Sequence, residues 1–303
     1  MSIPSASYND VVERCLRLAQ QGRNLRPGQR QLAAFDADGT LWAQDVAEIL
    51  WERLVDAGML REAGAGPLAR AVRSVGQEPS RDAAQDYARL LSLYREGKCP
   101  EETMVRAMLS GLAGIREDDL YEAAREAIRS VPDMKTLGTG RPADMIRQLR
   151  DSGFRIVVVS SSPRWAVEVA VAPLGIEPVD VVAGRVALVD GVLTSSVIEP
   201  LPNGPGKIQA LLRACGTVPH VSVGNTINDL ALLEAASHLK LLVNPTDDLV
   251  AACEEVGGST WSMATVDLLP RAPQRPALRK AGSGTTGKMR AINATARRTR
   301  ADS

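Results

Sequence analysis

The chain predicts an α/β protein: a doubly wound parallel sheet with an all-helical segment inserted into it. Three observations lead there. Short apolar runs, such as residues 31–36 and Phe154–Val159, alternate with amphipathic stretches of helical period, and strands that are apolar on both faces belong to parallel sheets covered by helices on both sides. From Val46 to about Arg129 the pattern is helical almost throughout, with no β-rich run to interrupt it. The apolar runs also end in polar residues, and open α/β sheets bind ligands at the carboxyl ends of their strands.

Taken in order, residues 8–22 form a short amphipathic helix with Val11, Val12, Cys15, Leu16, Leu18 and Ala19 on its apolar side, ended by Arg26-Pro27-Gly28. Residues 31–36 read as the first buried strand. In the helical segment, Ile49, Leu50, Leu54 and Val55 make one stripe. Tyr87, Leu90, Leu91 and Tyr94 make a second, and Met104, Val105, Met108 and Leu109 a third. A helix over 141–151 stops at Gly153, a strand covers 154–159 and a helix 164–173. Val181–Ile198 places Asp190-Gly191 between β-branched runs, the pattern of a hairpin. A helix at 207–214, a strand at 219–223, a helix at 228–236 and a strand at 240–243 complete the alternation. Residues 272–303 are rich in Pro, Gly, Ser, Thr, Arg and Ala. With few large apolar side chains they cannot offset their ordering entropy, which predicts a disordered basic tail. The expected organisation is 1–45 (N-terminal helix and first strand), 46–129 (helical insert), 130–271 (the rest of the core) and 272–303 (tail).

Lys and Arg number 36, as do Asp and Glu, so the formal net charge is zero. Nothing global points to nucleic acid, and no segment reaches the roughly 18 apolar residues of a membrane span. The neutrality hides an asymmetry: from Arg271 onward there are nine basic residues and one acid, Asp302. Cys15, Cys99, Cys215 and Cys253 are scattered and only His220 and His238 carry imidazoles. That argues against a structural zinc or a disulfide framework. With no apolar leader after Met1, a reduced, cytoplasmic setting is expected. Oligomeric state leaves no sequence signal.

The chemistry begins at Ala33-Ala34-Phe35-Asp36-Ala37-Asp38-Gly39-Thr40-Leu41-Trp42. Carboxylates two residues apart at a strand end point to one side. Crowding them there is costly unless a cation neutralises them, and hard ions such as Mg²⁺ take oxygen ligands. One carboxylate can then attack phosphorus while the other handles a proton. Three further segments follow. Val159 is followed by Ser160-Ser161-Ser162-Pro163, where Ser160 and Ser161 can bind a phosphate beside a helix N-terminus. Lys207 opens a helix after Gly204-Pro205-Gly206 and can serve as a point charge. Gly224 precedes oxygen ligands at Asn225, Asn228 and Asp229. Singly, an Asp-Gly turn, a serine cap, a surface lysine and a capped helix start would account for each.

Together and in this order, the four segments resemble the haloacid dehalogenase superfamily. The Ser-x-Ser-Pro form, the Asp190-Gly191 hairpin and Glu96-Gly97-Lys98 in the insert are similar to its phosphoserine phosphatase-like branch, which carries a helical type 1 cap. The resemblance implies a Rossmann-like core, Mg²⁺ and an aspartyl-phosphate intermediate. Asp36 would be nucleophile and metal ligand, and Asp38 general acid–base, with its carbonyl on the metal. Ser160 and Lys207 would hold the phosphoryl group, and Asn225 and Asp229 would complete the metal site. Position 225 is commonly Asp in the family, so Asn removes one negative charge. Asp45 falls where the branch meets a substrate amine, but it also fits as an N-cap for the helix starting at Val46. Trp42, Trp51 and Asn228 could touch substrate, or the tryptophans could pack the core. Matching the Glu-Gly-Lys segments puts Met108 where the branch has a carboxylate-binding arginine, with Arg106 on another face. The implied activity is an Mg²⁺-dependent phosphatase acting on a small phosphorylated metabolite, such as an amino-alcohol phosphate or a larger natural-product phosphate. A phosphotransferase, or a non-catalytic phosphate-binding or interaction protein, stands as the alternative.

Overall fold

A computed structural model describes residues 30–131, 134, 141–257 and 261–264, together with Ile3, Asp10, Glu13, Arg14 and Arg17. Asp10, Glu13, Arg14 and Arg17 are helical. The rest of the expected 8–22 helix and the 272–303 tail lie outside the described residues.

The first strand, β1 (Leu32–Phe35), is buried along its whole length. Five helices of the insert follow among the described residues: α1 (Val46–Asp56), α2 (Glu62–Ser74), α3 (Ala83–Arg95), α4 (Glu101–Ser110) and α5 (Glu117–Ser130). Next come α6 (Arg141–Asp151), β2 (Arg155–Pro163), α7 (Arg164–Val171), β3 (Val181–Gly184), β4 (Val186–Val189) and β5 (Val192–Val197). The chain continues through α8 (Gly206–Cys215), β6 (Val221–Gly224), α9 (Leu230–Glu234), β7 (Leu239–Val243), α10 (Asp247–Val256) and β8 (Trp261–Ala264).

Six strands form one parallel sheet in the order β3-β2-β1-β6-β7-β8. The chain winds outward from β1 through β2 to β3, then returns beside β1 at β6 and winds the other way. This reversal opens a crevice at the carboxyl ends of β1 and β6, where open α/β sheets bind ligands. Alternate residues of the strands feed two apolar layers. Ala33, Phe35, Val158 and Val223 join a cluster that runs without a break into the inserted helices through Trp51, Tyr87 and Leu109. Leu32, Ala34, Val157 and Val159 pack on the other face against Leu211 and Leu232. Trp51 is fully buried and stacks on Tyr87 with ring centroids 4.5 Å apart, so it is core.

Three elements differ from the sequence reading. Val181–Gly184 pairs in parallel with β2, and only Val186–Val197 makes the hairpin. Both arms are β-branched, and periodicity does not say which partner a strand takes. Asp190 and Gly191 both have positive φ, 50° and 74°, as a tight two-residue turn requires. The hairpin then docks on the insert, with Gly114 N donating to Leu193 O and Leu193 N to Ile115 O. β2 runs on through Ser160–Pro163. The pair α10 and β8 extends the sheet beyond residue 243, where the sequence reading stopped. α10 buries only Leu249 and Cys253, too weak a stripe to stand out. No helix among the described residues is long and apolar enough to cross a membrane.

Candidate active site

Strand register brings the polar ends together. Phe35 lies beside Val158 on one side and Val223 on the other. Asp36, Ser160 and Asn225 therefore emerge at the same edge of the sheet, and Asp36 N donates to Val223 O at 2.9 Å. After Asp36 the chain turns tightly, with Thr40 N and Leu41 N both donating to Ala37 O. Gly39, at φ 80°, lies against the Asn225 loop, and a Cβ there would sit 2.0 Å from Asn225 Nδ2. A Cβ on Gly224 would lie 2.5 Å from the Cβ of Asp229. Gly39 lets the two loops close on each other, and Gly224 lets its own loop fold back over Asp229.

Asp36 is buried, and each of its oxygens accepts a hydrogen bond. Lys207 Nζ donates to Oδ1 at 2.6 Å and Thr40 Oγ1 to Oδ2 at 2.9 Å. Lys207, at the start of α8 and 3% exposed, donates also to Asp229 Oδ1 at 2.5 Å. The other oxygen of Asp229 accepts from Asn225 N at 2.9 Å and Thr226 N at 3.0 Å, locking the loop in a capping box. Burial, the Asp229 charge and the Asp38 charge push the Asp36 carboxyl up to about 7, against the pull of Lys207. Burial alone would lower Lys207; Asp229 and Asp36 outweigh it and hold the ammonium above its ordinary value.

Asp38 sits at the entry to the inserted helices. Trp42 Nε1 and Val46 N donate to its Oδ1 at 2.8 and 2.9 Å, and Ser162 Oγ donates to Oδ2 at 2.7 Å. Burial raises its carboxyl above the usual range, opposed by these three bonds. Asp45 is the N-cap of α1, accepting from Ala47 N and Glu48 N. Two carboxylates thus satisfy the first N–H groups of one helix. Burial, then Asp38, then Glu48 raise Asp45 to about 8.

The remaining candidates have definite places. Ser160 is buried and its Oγ accepts from Ser162 N at 3.1 Å, leaving its own O–H to donate elsewhere. Ser161 and Ser162 line a cavity of about 60 Å³, together with Asp45, Glu48, Tyr94, Glu101, Met104 and Met108. Trp42 does not reach that cavity. It is buried, with its indole N–H spent on Asp38, so the substrate-contact expectation gives way to a hydrogen bond inside the site. Asn228 donates Nδ2 to Glu101 of α4, tying the loop to the insert. Arg106 points away, paired with Glu102 at 2.8 Å and Glu199 at 2.6 Å. A larger cavity, about 390 Å³, lies along the free edge of β3 and is lined by none of the predicted site residues, so size does not locate the chemistry. Thr40 and Ser162, quoted above only as parts of their motifs, and Glu101, which has no sequence signal, also join the site.

Whether a divalent cation suits this site turns on its donors. Among the described residues no three His, Cys, Asp or Glu side chains converge as a metal cluster. The available set is mixed: an Asp36 carboxylate oxygen, the Asp38 carbonyl and the Asn225 amide. Asn225 Oδ1 is buried without a hydrogen-bond partner, the condition of an oxygen awaiting a ligand. All three donors are oxygen, which suits a hard ion. Asp229, the fourth expected ligand, holds Lys207 with Oδ1 and the loop with Oδ2, and like Asp36 it accepts hydrogen bonds on both oxygens.

Comparison with known proteins gives a consistent set of likenesses. The haloacid dehalogenase-like hydrolase family matches residues 33–234. A phosphoserine phosphatase of Halobacterium salinarum is 33% identical over 172 residues, which are 54% of this chain and 80% of that protein. Phosphoserine phosphatase SerB2 of Mycobacterium tuberculosis is 29% identical over 212 residues, 68% of this chain but 42% of that longer protein. In structure, a conserved protein of unknown function from Anaerococcus prevotii superposes with a TM-score of 0.62 at 16% identity. That superposition covers 86% of this chain and 92% of the other, and it supports the fold alone.

Proposed function

The chain belongs to the haloacid dehalogenase-like hydrolase family, and we propose that it hydrolyses a small phosphomonoester through a phosphorylated Asp36. The observation that carries this reading is the buried Asp36–Lys207–Asp229 array at the end of β1, with Asp38 two residues on. Lys207 fixes Asp36 Oδ1 and balances its charge, so a carboxylate oxygen is presented from a rigid strand end. Asp38 protonates the departing alcohol and then accepts the proton of the water that cleaves the acyl phosphate. Ser160 O–H and Lys207 bind the equatorial oxygens of the transferring group. Asp36, the Asp38 carbonyl and Asn225 Oδ1 would hold Mg²⁺, which supplies positive charge against the phosphoryl oxygens.

The cavity next to Asp38 receives the leaving group. Its walls carry Asp45, Glu48 and Glu101 with the thioethers of Met104 and Met108, and no Lys or Arg. A substrate carboxylate would meet acids and no cation on the wall, whereas an ammonium would find Glu101 and Glu48, the latter shared with Arg95 at 2.6 Å. We therefore favour an amino-alcohol phosphate over phosphoserine. Phosphate release from phosphoethanolamine, phosphocholine, phosphoserine and p-nitrophenyl phosphate, with and without Mg²⁺, tests both levels. Expected is Mg²⁺-dependent release, with kcat/KM for phosphoethanolamine at least about tenfold above phosphoserine, the equivalent of about 1.4 kcal/mol. Absence of release from every ester overturns the phosphatase; a preference for phosphoserine overturns the amine reading only.

Asn225→Asp bears on the metal. An added carboxylate charge should lower the Mg²⁺ concentration for half-maximal activity, since affinity in such sites follows ligand charge. In Mg²⁺-free buffer the same variant should unfold at a lower temperature, because the new charge faces Asp36 and Asp38 uncompensated. An unchanged Mg²⁺ titration would remove residue 225 from the metal site.

A further inference from the structure

The Asp38 carboxyl group is held asymmetrically. Oδ1 accepts from two donors that can never accept in return: Trp42 Nε1 at 2.8 Å and Val46 N at 2.9 Å. Oδ2 faces Ser162 Oγ at 2.7 Å, and a hydroxyl can turn from donor to acceptor. A proton on Oδ1 would point at two N–H groups. A proton on Oδ2 would find the Ser162 oxygen or the leaving group. Ser162 is buried, lines the leaving-group cavity and donates its backbone N–H to Ser160 Oγ at 3.1 Å. Ser160 and Ser162 are joined by that bond at the end of β2, where the register against β3 shifts.

We infer that Ser162 and Trp42 are positioning residues for Asp38, and that together they make Oδ2 the oxygen that exchanges its proton with the leaving group. The inference rests on the phosphatase reading above. In the first half-reaction a bond forms between an Asp36 oxygen and phosphorus, the bond from phosphorus to the alcohol oxygen breaks, and that oxygen takes the proton from Asp38 Oδ2. In the second, water oxygen bonds to phosphorus, the Asp36–phosphorus link breaks, and the water proton returns to Asp38 Oδ2. Ser162 O–H donates to Oδ2 when it is bare and turns to accept when it is protonated. Trp42 keeps the carboxyl from rotating and exchanging its two oxygens.

Leaving-group dependence provides a test that general destabilisation would not mimic. An alkyl oxide needs its proton as it departs; p-nitrophenolate does not. Ser162→Ala and Trp42→Phe should each lower kcat/KM for the alkyl phosphate turned over fastest in the panel. General acid–base help is worth about 10²–10⁴-fold, and partial misplacement should forfeit about tenfold or more of it. With p-nitrophenyl phosphate the same variants should lose less than about threefold in kcat/KM, because that ratio ends at alcohol release and excludes the water step both esters share. Ser162→Thr keeps a hydroxyl and should recover most of the alkyl phosphate rate. Equal losses for both esters, no loss, or failure of Thr to recover the rate that Ala forfeits would overturn the positioning roles. Wild-type protein that hydrolyses neither ester would instead overturn the phosphatase reading beneath them.

Discussion

Asp36→Asn is expected to lower turnover by at least about three orders of magnitude while the protein stays folded, the usual cost of losing a covalent nucleophile. The amide keeps the carboxylate's shape and an oxygen to accept from Thr40 Oγ1, and Lys207 retains Asp229 as partner. Retention of more than about a tenth of the rate would remove Asp36 from the nucleophile role, by the same argument. Stability makes a second, separable readout. Burial and the charges of Asp229 and Asp38 raise the Asp36 carboxyl to about 7, above the value of about 4 for an unfolded chain. A raised carboxyl favours the folded state fully below the unfolded value, and that contribution is lost as pH rises through the folded one. In Mg²⁺-free urea unfolding, the stability of Asp36→Asn relative to wild type should therefore climb from about pH 4 to pH 7 and level off above. A flat difference across that window would mean that Asp36 is not titrating in such surroundings.

Lys207→Met should be the most destabilising single change in the site. It removes the one ammonium between Asp36 and Asp229 and leaves both carboxylates buried without it. Removing one partner of a buried ion pair costs about 3–5 kcal/mol, because the charge left behind has no solvent. Adding Asp229→Asn removes half of that stranded charge and should return a substantial part of the loss. Turnover should collapse in both variants, since neither places a cation on the phosphoryl oxygens. Urea unfolding without Mg²⁺ checks the stability claim, and a loss below about 1 kcal/mol for Lys207→Met, the range of exposed pairs, would contradict the buried array.

Much of the site was legible because its residues sit where apolar runs stop. Asp36, Ser160 and Asn225 each follow a strand whose period and composition announce it, and a parallel sheet gathers the carboxyl ends of its strands on one edge. The helical segment between the first two strands was legible from its stripes. Asp45 offered two roles, and the structure makes it the cap of α1 while also setting it in the cavity wall. Trp42 packs in the core, one of the two roles open to an indole with its apolar body and one polar atom. Nothing in the sequence shows that a turn over Ala37–Leu41 will bring that atom to Asp38 Oδ1.

The sequence by itself determined the element types, the chemical identity of the strand ends and the overall family likeness. These follow from local periodicity and from which side chains can bear charge at a turn. Tertiary structure alone decided that β3 joins the sheet rather than the hairpin and that Asn228 ties the loop to Glu101. It also decided that Asp229 holds Lys207 and that Ser162 holds Asp38 across 124 positions of sequence. The physical reason is the same in each case. A buried polar atom must find a partner among whatever groups the packed core brings within about 3 Å, and that neighbourhood is set by long-range packing that no local pattern encodes.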